Sequence, residues 1–166
     1  MNNILGITLL ILSMPLTSHA TETPTSASES TPTSITCLSK ELRSLLSQEM
    51  NFLEKGMKDI MTAYISGDWQ AIKVIATQMK NSYILKQNLT QQQMHQLHTT
   101  LPASFLKQDQ QFHYFAGMLS HAAEMKKAEL IGFYYAKMSG TCVSCHRQHA
   151  LHRFPQLAPI IEKHQH

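Results

Sequence analysis

Cysteine is scarce in this chain: 166 residues hold three, too few for a disulfide scaffold. Charge is scarce too, at 15% of residues, with 14 Lys and Arg against 11 Asp and Glu and a net +3. No basic run is longer than Lys126-Lys127, which argues against nucleic acid as a partner. With 43% apolar residues, the chain is too apolar and too weakly charged for a disordered acidic or basic polymer. It has no alternating strand pattern and no internal repeat. After residue 20 no apolar run reaches membrane-spanning length, so the mature chain is expected to have no membrane span. No constellation of acids, bases and nucleophiles suggests turnover, and the protein is not expected to be an enzyme. The length suits one compact domain with flanking segments.

What is present begins with an export signal. Ile4 to Leu16 is nearly unbroken apolar sequence, and Ser18-His19-Ala20 puts small residues at the −3 and −1 positions of a cut after Ala20. Residues 1–20 thus read as a signal peptide, despite an N-terminal stretch without Lys or Arg, and the mature protein is expected in the periplasm. Residues 21–36, rich in Thr, Ser, Pro, Ala and Glu, have nothing to bury and are expected to form a disordered linker. Residues 37–155 are expected to form the folded domain, and 156–166 a C-terminal tail.

The domain reads as helical throughout. Leu42, Leu46, Glu49/Met50, Leu53, Met57, Ile60 and Tyr64 follow the three-and-four spacing of one buried face. Gly67 ends that run and Asp68 is an N-cap for a second helix, predicted from Trp69 to about Leu89. Thr90 and Gln93 form a capping-box signature for a short helical turn through Leu97, and Leu101-Pro102 breaks it. Further helices are predicted over about Ala103 to Met125 and Lys127 to His152, with Pro155 as the stop. Helices joined by short turns pack as neighbours of opposite direction, so the expected fold is all-α, an antiparallel four-helix bundle.

The sharpest motif is Cys142-Val143-Ser144-Cys145-His146. Two thiols three residues apart on a helix point to one side, where each can form a thioether with a haem vinyl group. His146, one residue on, is then available as an axial iron ligand. The same residues also suit a thiol redox pair, though no strand precedes them, or a zinc site with a nearby histidine, or two thiols with no chemistry. Export favours haem c, one per chain and covalently bound.

An exported helical chain whose only Cys-x-x-Cys-His lies near the end of its last helix resembles the class II c-type cytochromes, cytochrome c′ and its low-spin relatives of the cytochrome c-556 type. In the class I cytochromes the motif lies near the N-terminus. The resemblance covers about Leu38 to Phe154, with the Ser66-Gly67-Asp68 turn as weaker support. It implies a haem inside the bundle, against the last helix, with its other face toward the first. It implies a one-electron carrier of electron transport if a methionine of the first helix binds the iron. If an apolar side chain blocks that face, it implies a five-coordinate protein that binds nitric oxide or carbon monoxide. Counting back from Gly67-Asp68 brings Met50 to the ligand position, with Leu46 and Leu53 one turn away and Met57 as a second methionine. The resemblance breaks at Ala150, where cytochromes c′ carry an arginine four residues after the haem histidine. Arg147 and Arg153 are the candidates to pair with a haem propionate. His113 and His121 are weaker candidates for the distal iron ligand, and Cys37 for an intermolecular disulfide giving a homodimer. The expected partners are redox proteins of the periplasm.

Overall fold

The computed structural model describes residues 34–159. They are all-helical, with five α-helices and no strand among the described residues: α1 (Lys40–Ser66), α2 (Trp69–Lys80), α3 (Gln91–Thr100), α4 (Ala103–Glu124) and α5 (Ala128–His149). Short 3-10 turns at Ile35–Cys37 and Pro155–Leu157 flank them. Among the described residues no helix is long and apolar enough to cross a membrane. The signal peptide, residues 21–33 of the linker and the tail beyond residue 159 lie outside the described residues.

Local chemistry sets most helix ends. The Ser39 hydroxyl accepts the Leu42 N–H and starts α1, and Gly67, at φ 72°, ends it in the left-handed conformation that glycine adopts without steric cost. Asp68 Oδ1 accepts the Ala71 N–H at 2.9 Å and starts α2. Thr90 and Gln93 form the reciprocal capping box. That box opens a helix of 10 residues, longer than the turn predicted there.

Three sequence expectations are corrected. The second helix ends at Lys80 rather than near Leu89. The N–H groups of Tyr83, Ile84 and Leu85 donate to the buried Glu49 carboxylate instead of continuing the helix, and Ser82 takes a left-handed φ of 59°. The carbonyl of Met79, the partner Tyr83 would have had in a longer helix, accepts His113 Nδ1 at 2.7 Å. The last helix ends at His149 rather than His152. There the chain turns, with the N–H of Phe154 donating to the carbonyls of Ala150 and Leu151. Finally, Ser34 to Thr36 are ordered: the Ser34 N–H donates to the Thr100 carbonyl at 3.1 Å, and Ile35 packs on apolar side chains.

The helices pack along their apolar stripes. Lys73 meets Glu124 at 2.7 Å and Thr77 meets Ser120 at 2.9 Å, joining α2 to α4. Helices α4 and α5 share a long interface, while α1 lies along α2 and touches α5 sparsely. Where α1 and α5 do meet, the Tyr64 hydroxyl donates to the Ala128 carbonyl at 3.2 Å. Apart from Ile84, the buried apolar residues form two clusters. One holds Ile60, Ile72, Phe112, Leu119, Ile131 and Met138; the other holds Leu38, Leu42, Leu46, Leu97, Leu101 and Phe105.

Two glycines on helices differ in sign as substitution sites. A Cβ on Gly56 would lie 3.0 Å from the Tyr83 hydroxyl and 3.2 Å from Met79 Sδ, where α1 abuts the end of α2. A Cβ on Gly140 would meet nothing within 4 Å. Gly56→Ala is expected to cost about 1 kcal/mol, overpacking outweighing helix propensity, and Gly140→Ala to stabilise by about 0.5–1 kcal/mol. Urea denaturation of both variants checks the opposite signs.

Candidate functional site

The motif lies in the last turns of α5. Successive helical positions rotate by about 100°, so Cys142, Cys145 and His149 share one stripe, with His146 at its edge. The stripe turns inward only partly: from Ser139 to His149 no residue of α5 is fully buried. Cys142 packs against the first apolar cluster and Cys145 against the second. Met50, on α1, packs against both. The flanking leucines are each confined to one cluster, Leu46 to the second and Leu53 to the first. Met57 touches only the first, and Met61 is exposed.

This environment keeps the motif uncharged. Burial pushes the Cys145 thiol up to about 11, with the nearby Asp109 and Cys142 adding to the effect. Burial also raises Cys142. The His146 imidazole is lowered by burial and then by the charge of Arg153, which favours the neutral ring that a metal ligand requires.

The aromatic neighbours were not expected from the sequence. Phe154 folds back so that its ring lies parallel to that of His146, with centroids 4.1 Å apart and planes 8° from parallel. His149 sits edge-on to Phe105 at 5.5 Å, and its Nε2 is 3.5 Å from the Ser104 hydroxyl. Gln148 accepts from Gln108 at 2.6 Å and adds a second tie between α4 and the end of α5. Pro155 was the only local hint that the chain turns back there.

Other candidates sort by position. Arg147 and Arg153 are exposed, and neither forms an ion pair among the described residues. His113 is buried and faces α2, where Nδ1 donates to the Met79 carbonyl; Nε2 lies 3.4 Å from Asp109. His121 is exposed beside Glu124. Cys37 is exposed and free. Among the described residues no three His, Cys, Asp or Glu side chains converge as a metal-binding group.

Comparison with protein-family models, curated proteins and solved structures finds no match to this chain.

Two measurements test the site in the unmodified chain. Iodoacetamide is expected to alkylate exposed Cys37 first, with Cys142 and Cys145 reacting roughly 10- to 100-fold more slowly, because burial limits both access and thiolate formation. Peptide mass mapping over time reads this order. A thiol raised in the folded state also destabilises the fold in alkali, since the unfolded chain loses its proton first. The contribution of Cys145 is expected to be intact below its ordinary value of 9.0 and to be lost as pH rises toward about 11. Urea denaturation across that range, with Cys145→Ala losing part of the decline, checks the sign.

Proposed function

We propose that the protein is an exported monohaem c-type cytochrome that carries single electrons, with haem held through Cys142 and Cys145, His146 as proximal iron ligand and Met50 as distal ligand. The observation that carries this reading is the arrangement of three side chains. The motif's two thiols pack against different apolar clusters, and the one partly buried apolar side chain of α1 that packs against both clusters is a thioether.

The finer fold belongs to the same reading: α1, α2, α4 and α5 form an antiparallel four-helix bundle, with α3 as a short insertion. The end of α1 meets the start of α5 at Tyr64 and Ala128. The start of α4 meets the end of α5 at Ser104 and His149. The pairs Lys73–Glu124 and Thr77–Ser120 run in opposite order along α2 and α4. The Tyr64–Ala128 contact also brings this part of α1 level with the motif: Leu46 lies eighteen residues back from Tyr64 and His146 eighteen on from Ala128. Fourteen residues back from Tyr64 is Met50, and fourteen on from Ala128 is Cys142. At about 1.5 Å per residue, both lie about 21 Å along their helices from the shared contact.

The roles of the chain's residues follow from their chemistry. Haem held there supplies a one-electron iron couple. With haem bound, the Met50 thioether and the His146 imidazole would hold the iron, and a thioether ligand would favour the reduced metal and raise its potential. The apolar side chains on both sides of Met50 exclude water. Half-burial of the last turns of α5 leaves one edge near the surface for electron exchange with a periplasmic partner. Arg147 and Arg153, exposed and without ion pairs among the described residues, are available to carboxylates such as haem propionates.

Two experiments test this. Mass spectrometry of mature protein, from a host that makes haem thioethers, is expected to give the chain cut after Ala20 plus one haem. A bare polypeptide mass overturns the reading. The wild-type spectrum is expected to have a sharp split visible band when reduced and a sulfur-to-iron charge-transfer band when oxidised. Met50→Ala is expected to lose the latter and bind carbon monoxide, while Leu46→Ala and Leu53→Ala retain it. A broad high-spin spectrum in the wild type would instead indicate the five-coordinate gas-binding protein.

A further inference from the structure

Glu49 is a carboxylate on the buried face of α1, only 2% exposed and next in sequence to Met50. Burying such a group is costly unless its oxygens are satisfied. Here Oε1 accepts the Ser82 hydroxyl and the Tyr83 N–H, each at 2.9 Å. Oε2 accepts the N–H groups of Ile84 at 2.6 Å and Leu85 at 3.4 Å. Three successive backbone N–H groups around one anion make a nest, in this case filled from within the chain. The Ser82 hydroxyl also accepts the Leu85 N–H at 3.2 Å, and Gln87 donates to the Ser82 carbonyl at 2.7 Å, so the loop is braced on its own side.

Residues 49 and 50 are about 100° apart around the helix. A rotation of α1 that turned Met50 away from its two clusters would therefore drag Glu49 out of its nest. We propose that Glu49 is the positioning residue for Met50: its bonds to residues 82–85 fix the rotation of α1, and with it the direction of the Met50 thioether. As a statement about the iron ligand this rests on the function proposed above; as a statement about the rotation of α1 it does not.

The test uses the full chain without haem and the haem-bearing protein, with methionine methyl groups labelled for NMR. Glu49→Gln keeps the side chain's shape but turns an NH2 group toward N–H donors. Without haem, amide exchange at Ile84 and Leu85 is expected to quicken roughly 10- to 100-fold, the loss of a hydrogen bond to a charged acceptor. The Met50 methyl resonance is expected to shift and broaden while that of Met138, fully buried on α5, stays in place. In the haem-bearing protein the sulfur-to-iron band is expected to weaken or disappear. Ser82→Ala, which removes one bond, is expected to give the same changes in smaller measure and serves if Glu49→Gln does not fold.

Unchanged amide exchange would overturn the proposal. So would faster exchange with an unmoved Met50 methyl, which would make Glu49 a loop anchor only, or equal shifts at Met50 and Met138, which would mean general loosening. If the wild-type haem protein has no sulfur-to-iron band, the reading of Met50 as ligand fails, while the haem-free measurements still decide the role of Glu49.

Discussion

A helix of 27 residues, α1, serves two separate apolar clusters, so its rotational setting is shared by both halves of the interior. The Glu49 carboxylate is the polar constraint on that setting. An apolar contact tolerates sliding, because burial is roughly proportional to area and has no direction. A carboxylate with both oxygens occupied does not, because each bond has a preferred distance and angle. Glu49 also explains where α2 stops. With the Tyr83 N–H taken by Glu49, the Met79 carbonyl accepts the Ser82 N–H at 3.2 Å and His113 Nδ1 at 2.7 Å, and the latter ties α4 to the end of α2. Glu49 thus ties α1 to the loop after α2, and His113 ties α4 to the end of α2.

Helix α5 is built differently along its length. Its first half contributes the fully buried Ile131 and Met138. Its last turns are held by contacts at their margins: Gln148 on Gln108, His149 against Ser104 and Phe105, and His146 against Phe154. The two cysteines between these contacts are therefore neither locked into the core nor fully open to solvent. Partial burial suppresses their ionisation without removing them from reach.

Features written within three or four residues of one another were legible from the sequence alone. The Gly67-Asp68 turn, the Thr90–Gln93 box and the Leu101-Pro102 break all depend on local caps and dihedral preferences, and all stand where the spacing put them. The motif could be placed on the last long helix for the same reason. The end of α2 was not legible, because the group that ends it lies more than thirty residues earlier in the chain. Its trace was an acid on an apolar stripe: Glu49 falls on the buried face of α1 where spacing alone called for a hydrophobe. Phe154 left no comparable trace, since its contact with His146 depends on a turn after the helix and not on helical spacing. Ser34 to Thr36 resemble the linker in composition but are tied to the end of α3 by a backbone hydrogen bond that composition does not encode.

The placement of Met50, the proposed ligand, is set by two constraints that come from different parts of the molecule. Its level along α1 is tied to α5 by the Tyr64–Ala128 contact, and its direction around α1 by Glu49. Leu46 is level with His146 by the same count, but it packs within the second cluster, as Leu53 does within the first, while Met50 packs against both. Changing the direction would break the carboxylate's bonds. An unbranched thioether is also the side chain best able to lie across the junction of two clusters, since it adapts its shape without losing apolar contact. The same flexibility that makes methionine a filler of irregular cores leaves its sulfur free to turn toward a metal, so in this position packing and ligation make compatible demands on one residue.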